Sequence, residues 1–377
     1  MWQSYYCHAS KVFFNIRHFD LIKLALFRNL LIHTFPSYEI TDIELSVIEK
    51  GDTVALDIMR TSAAVIGIHL YHSGKVLLGM NLFPNLKSVS YTNFLELGQL
   101  GIQMPFILIV GGTDVNELVS DLNAFQIMKK SIEAARFVVC FNESLKSLTE
   151  SRFQLQDSNK LVVVKPSIAL DANFDFTEKP IAFKNLQEGR NFSDYLALVA
   201  NLRPVKDVLF IAESFSQFVC SRKLSFSLIL IGNPLECSYA TFVSERIKCL
   251  PHVYYIGSLS VLETRCLIHG AFALVNSSLS EGLSVSILEA MLLGTPVIAR
   301  RIPGNTAVIT DKETGLLYTT PAEFIMAFAS LMRDHKLRRD LVSNAKNYVS
   351  TQHSCDIEAE AYSNLCHSIL KTPALAL

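Results

Sequence analysis

Residues 271–300 read AFALVNSSLSEGLSVSILEAMLLGTPVIAR. A short apolar run ends at Asn276, a polar loop reaches Ser284, an apolar helical stretch runs to Leu293, and a second apolar run follows Gly294-Thr295-Pro296. That is strand, loop, helix, strand: the repeating unit of a parallel sheet covered by helices. Ser284 stands where an N-cap is needed, and Gly282 just before it lets a ligand approach the backbone. Free amides at such a helix start, together with the positive end of the helix dipole, suit an anion such as a diphosphate.

Two carboxylates flank this helix start. Glu289 lies in a helix whose other positions over 285–293 are apolar except Ser286. An ionised carboxylate there costs several kcal/mol unless donors or a cation compensate it. Either a structural partner or ligand hydroxyls must meet it, and the helix by itself does not choose. Glu281 lies eight positions earlier, in the loop. At about 1.5 Å per helical residue the two carboxylates come out on the order of 10–12 Å apart. The paired carboxylates of a glycoside hydrolase sit roughly 5–9.5 Å apart, so this spacing suits two grips on one elongated ligand.

The same alternation extends in both directions. After residue 193, strands are expected over 195–200, 227–232, 253–257, 272–276, 296–300 and 315–318. Helices are expected over 207–219, 239–249, 261–269, 284–293 and 321–333, with two more near 336–351 and 356–370. Before it, strands are expected over 63–70, 105–110, 136–141 and 161–165, with a helix over 118–135. Between Ile168 and Ser193 the periodicity fails among Asp171, Asn173, Asp175, Pro180, Asn185 and Gly189, which marks a linker over 171–193. The expected organisation is a first Rossmann-like domain over 1–170, the linker, a second over 194–353, and a C-terminal helix and tail over 354–377. The stretch 81–100 breaks the rhythm and reads as an insertion. Two doubly wound α/β domains facing each other would hold a ligand in the cleft between them, at the carboxyl ends of the strands.

Composition narrows the function. The chain has 377 residues, half of them hydrophobic, with 34 basic against 35 acidic side chains and a net charge of −1. That is enough apolar material for two cores, and it carries no basic excess of the kind nucleic-acid binding requires. The eight cysteines form no Cys-x-x-Cys pair and read as reduced, mostly buried small side chains. Residues 21–32 are apolar but interrupted by Lys23, Arg28 and Asn29, which fits an amphipathic helix better than a signal peptide or a membrane span. No transmembrane segment is expected; a cytoplasmic location is the expectation, with secretion the alternative.

Glu281-Gly282-Leu283-Ser284, Leu288-Glu289-Ala290-Met291 and Gly294-Thr295-Pro296-Val297 together resemble the E-x7-E segment of retaining GT-B glycosyltransferases of family four, the glycosyltransferase group 1 type. Ala200–Lys206, Ile256-Gly257, Pro303-Gly304-Asn305 and Thr314–Leu317 match as well, so the resemblance covers about residues 195–350. With Gly111–Glu117 in the first half, the chain also resembles the animal glycosyltransferase 1 domain-containing proteins. The resemblance implies a GT-B fold and transfer of a sugar, with retention, from a nucleotide-diphosphate sugar to an unknown glycan, protein or small-molecule acceptor. It implies Glu281 at the donor sugar, Glu289 on the ribose hydroxyls, and the amides of Gly282, Leu283 and Ser284 on the diphosphate. Arg203 and Lys206 would neutralise the leaving diphosphate, and main-chain groups around Ile256 and Ser258 would face the base. No metal, cofactor or covalent nucleophile is implied.

In the first half, Asp114 and Gly112 fall in a Gly-Gly-Thr-Asp loop after a strand and could face the acceptor, though a turn-forming Asp fits equally. His69 reads as a structural histidine. Two departures from the family pattern stand out: no glycine precedes Gly51 and residues 1–11 do not read as a buried strand, and no acidic residue accompanies Asn305. These leave two alternatives to an active transferase. One is a non-catalytic nucleotide-sugar-binding or scaffold protein, favoured by the missing glycine-rich loop. The other is a nucleotide-sugar epimerase of the same fold, which would need catalytic acids on both sides of the cleft.

Overall fold

The computed structural model describes residues 106–371 except 156, 158, 171–173 and 189–192, and before residue 106 the backbone of four strands. Those four are β1 (Lys11–Asn15), β2 (Glu39–Ile43), β3 (Ala64–Tyr71) and β4 (Lys75–Val76). The expected helix over 21–32 and the excursion over 81–100 lie outside the described residues. Met1–Ala169 and Ser354–Leu377 form one compact unit, and Leu170–His353 forms a second.

In the first unit β5 (Phe106–Ile109), β6 (Phe137–Cys140) and β7 (Leu161–Val163) complete a sheet of order β2-β1-β3-β5-β6-β7. All these neighbours pair in parallel, and β4 adds to β3 as an antiparallel hairpin. The last helix, Cys355–Lys371, belongs to this unit; the Ser167 amide donates to Glu358 Oε2 at 2.8 Å.

The second unit is a six-stranded parallel sheet, β10-β9-β8-β11-β12-β13. Its strands are β8 (Asp194–Val199), β9 (Phe226–Ile231), β10 (Val253–Tyr255), β11 (Ala273–Asn276), β12 (Val297–Arg300) and β13 (Leu316–Tyr318). The interior residues of β8 and β9 are buried on both faces, as their near-continuous apolar runs require in a sheet with helices on each side. Phe215, Phe324 and Phe328 are fully buried in the core, with the Phe328 ring 5.8 Å from Phe215 and 5.2 Å from Phe226. The helix Val285–Leu293 ends at Gly294, whose φ of +80° is a left-handed conformation that glycine adopts without strain.

Three sequence expectations need correction, and two strands, β1 and β2, were not anticipated. β1 begins at Lys11, the last residue of the segment 1–11, whose other residues lie outside the described residues, and pairs on both sides. Only Val12, Phe13 and Phe14 carry its apolar signal, and distant partners stabilise the rest. The stretch expected to be aperiodic holds a helix, Ile181–Gln187, anchored by the buried Phe183 against Tyr195 with ring centroids 4.6 Å apart. The helix expected from residue 207 begins at Ala212, because Pro204–Lys206 is a 3-10 turn closed by Asp207 at φ +42°. Of the six described cysteines, all are free, but only Cys140 and Cys266 are buried; Cys220 and Cys237, on helices, and Cys249, just after one, are exposed.

Candidate active site

In an all-parallel sheet every strand ends on the same edge, and functional loops gather where the chain reverses its direction of winding. In the second unit that point lies between β8 and β11: β9 and β10 are laid to one side of β8, and β11, β12 and β13 to the other. The loops leaving β8 and β11 carry Arg203, Lys206 and Glu281.

They meet. Lys206 Nζ lies 2.7 Å from Glu281 Oε1, with the two side chains 22% and 10% exposed. The same carboxylate oxygen accepts from Ser278 Oγ at 2.7 Å and from Asn276 Nδ2 at 3.3 Å. Three donors converge on one oxygen and fix the direction of a nearly buried carboxylate. Arg203 Nε lies 3.7 Å from Glu236 Oε1 in the loop after β9. Two cations therefore stand at the switch point, each beside one acidic partner.

The helix that follows has Ser284 at its N-cap position in extended conformation, but the Ser284 hydroxyl caps no first-turn amide. It lies 3.4 Å from Asn276 Nδ2 and 3.1 Å from Ser286 Oγ instead. Gly282 is buried and Leu283 half-buried. Ile256 and Ser258 follow β10 on the same sheet edge, half-buried and exposed respectively.

Glu289 has a structural partner. Arg265, from the helix Val261–His269, is 2% exposed and places Nε 2.9 Å from Glu289 Oε1. The opposite charge on the neighbouring helix offsets the cost of a carboxylate in an apolar helix. The sequence reading missed Arg265, although the signal was present: a basic residue beside Cys266-Leu267-Ile268 is the counterpart of an acidic residue among Ile287, Leu288 and Ala290. Asn276 and Ser278 were missed because uncharged polar residues in a loop carry no periodic signal.

Asp114 and Gly112 lie in the first unit, in the short helix Gly112–Asn116 after β5. Asp114 is fully buried and accepts from the Gly111 amide at 2.7 Å, which is the capping role of a turn-forming Asp. Its other oxygen, Oδ1, has no partner among the described residues. Burial holds its carboxyl well above the usual carboxylate range; the Gly111 amide opposes this and the nearby Glu117 charge adds to it. His69 pairs in β3 with Ile109 of β5, and its side chain lies outside the described residues. Among the described residues, no group of three or more His, Cys, Asp or Glu side chains is placed to hold a metal ion, and no helix is long and apolar enough to cross a membrane.

Solved structures that share this fold are GT-B glycosyltransferases. The chain superposes with a TM-score of 0.67 on Anabaena HepE in complex with UDP and glucose, at 14% identity, covering 96% of this chain and all of the other. It superposes with a TM-score of 0.72 on sucrose-phosphate synthase from Thermosynechococcus elongatus, at 13% identity over 96% and 99% of the two chains. Residues 183–348 match the family described as glycosyl transferases group 1. The chain is 37% identical over 330 residues to glycosyltransferase 1 domain-containing protein 1 of Xenopus tropicalis, covering 85% of this chain and 87% of that one. It is 22% identical to N-acetyl-alpha-D-glucosaminyl L-malate synthase of Bacillus anthracis over 74% and 71% of the two. The chain belongs to the glycosyl transferases group 1 family.

Proposed function

We propose that this protein transfers a sugar, with retention of configuration, from a nucleotide-diphosphate sugar to a hydroxyl-bearing acceptor. The observation that carries the reading is the meeting of Lys206 and Glu281 at 2.7 Å at the switch point of the second sheet, beside a helix start whose N-cap residue, Ser284, makes no side-chain cap bond. Glu281 then serves the donor sugar near its reacting carbon. The amides of Gly282, Leu283 and Ser284 take the diphosphate, and Glu289, paired with Arg265, takes the ribose hydroxyls. Main-chain groups around Ile256 and Ser258 face the base.

In the transfer the bond from the anomeric carbon to the diphosphate oxygen breaks, and negative charge grows on the leaving group. Arg203 and Lys206 with the helix amides neutralise that charge, so the reaction needs no metal ion from the protein. The acceptor oxygen bonds to the anomeric carbon on the face the diphosphate leaves, and the acceptor proton passes to the departing phosphate oxygen. No covalent nucleophile takes part.

The testing experiment is a thermal-shift panel with uridine, guanosine and adenosine diphosphate sugars on the wild type and Glu289→Ala. A ligand at about one hundred times its dissociation constant adds roughly 2.7 kcal/mol, a rise of several degrees. A shift with one nucleotide class, lost in the variant, supports the donor site and names the base. No shift with any class refutes it. Binding without transfer to any acceptor or to water would make the protein a nucleotide-sugar-binding scaffold.

A further inference from the structure

The loops carrying Lys206 and Glu281 leave neighbouring strands, and a third segment, at the end of β12, holds both. Arg300 Nη1 lies 2.8 Å from Asp207 Oδ2 and 3.1 Å from the Ser277 carbonyl oxygen. One guanidinium therefore ties the residue after Lys206 to the residue after Asn276. Its Cζ stacks 3.8 Å from the centroid of the Phe210 ring, which fixes the plane of the fork. Across this tie the Leu279 amide donates to the Val205 carbonyl at 2.8 Å and Ser277 Oγ to the Lys206 carbonyl at 3.0 Å.

Four and five residues further on, the same segment reaches Glu281. A Cβ on Gly304 would lie 2.2 Å from the Glu281 carbonyl oxygen, so only glycine lets the two backbones come this close. Asn305 is fully buried and donates from Nδ2 to Asn276 Oδ1 and to the Arg300 carbonyl, both at 2.9 Å. Asn276 in turn donates to Glu281 Oε1. Asn305 Oδ1 is buried with no partner among the described residues. A leucine would fill this interior without that desolvation cost, so the asparagine is explained by the two acceptors its amide group reaches.

We propose that residues 300–305 form a brace that sets the position of the Lys206 ammonium against the Glu281 carboxylate, with Arg300 and Asn305 as positioning residues. Neither has to touch the substrate. The kinetic part of this inference rests on the proposed transfer; the structural part does not. Displacing a reacting group by about 1 Å costs on the order of a hundredfold in rate, so loss of the brace lowers turnover while leaving nucleotide affinity nearly intact.

The test compares Arg300→Met, Arg300→Lys and Asn305→Asp with the wild type in the full chain. Hydrogen exchange without ligand reads the segment 277–283, and cleavage of UDP-glucose and GDP-mannose, used as probes, reads kcat and KM. Arg300→Met is expected to speed exchange of 277–283 about tenfold with β8 and β11 unchanged, and to lower kcat between tenfold and a hundredfold with KM within about twofold. Asn305→Asp sets a carboxylate against Asn276 Oδ1 and acts in the same direction. Arg300→Lys keeps the charge near Asp207, loses the fork, and recovers part of the rate. Unchanged exchange in both Arg300→Met and Asn305→Asp overturns the brace, as does a rise in KM at constant kcat. The exchange arm needs no nucleotide, so a wild type that binds neither probe refutes the transfer reading and leaves the brace to be decided by exchange.

Discussion

Two loops of this molecule start from the same local design and end with opposite electrostatics. Each follows a buried parallel strand, carries glycine, and leads to a helix with an acidic residue nearby: Glu281 after β11 in the second unit, Asp114 after β5 in the first. Glu281 Oε1 receives an ammonium, a hydroxyl and an amide group. Asp114 receives one backbone amide, and its carboxyl is pushed well above the usual range by burial. Burial favours the neutral form of a carboxyl, and at Asp114 one backbone amide does not offset it. The first arrangement sets a cation against a carboxylate at the switch point; the second holds a turn together.

The largest effect expected is at the charged loop. Glu281→Ala should lower sugar transfer by a factor of about a hundred to a thousand or more, the scale of losing a preorganised electrostatic contact at the reacting centre. The fold should survive, because the partly exposed Lys206 can turn to water. Single-turnover assays with circular dichroism check both, and transfer within tenfold of the wild type would remove Glu281 from the reacting centre.

Arg265→Met turns Glu289 into a second Asp114, a buried carboxylate without its cation. The expected cost is about 3–5 kcal/mol. Denaturant titrations of Arg265→Met, Glu289→Gln and the double variant decide it: if the single costs simply add, the two residues do not interact.

Asp114→Asn sharpens the other side. Because the folded pKa is raised, the folded state holds a proton that the unfolded state releases above about pH 4. Wild-type stability should then fall with rising pH, by up to about 1.4 kcal/mol per pH unit, until the folded group also ionises. The asparagine variant should lack that component when the two are titrated between pH 5 and 8. A slope equal to the wild type's would mean that Asp114 ionises normally.

The smallest effect calibrates the rest. Ser260 caps the helix Val261–His269 in a reciprocal box with Glu263. Ser260→Ala should cost about 1 kcal/mol, with transfer unchanged. A loss as large as that of Arg265→Met would show that capping, not the buried charge pair, dominates this helix.

Much of the second unit was legible residue by residue. The run 271–300 reads as strand, loop, helix and strand, and it folds as β11, the helix Val285–Leu293 and β12. Apolar period and a left-handed glycine are signals within a few residues of the elements they define. The opening strands β1 and β2 escaped that reading because their pairing partners, not their own short sequences, stabilise them. The helix Ile181–Gln187 escaped it because one buried phenylalanine holds it rather than a periodic face.

The sequence alone determined that the chain is an α/β protein with parallel sheets, and it marked one helix start, flanked by two glutamates, as the candidate ligand site. Which cation met which glutamate was decided only in three dimensions. Lys206 and Glu281 lie 75 positions apart and Arg265 and Glu289 lie 24 apart. Local propensity reaches about one helical turn, whereas these pairings follow from strand order and helix packing, which place β8 beside β11 and bring Arg265 against Glu289.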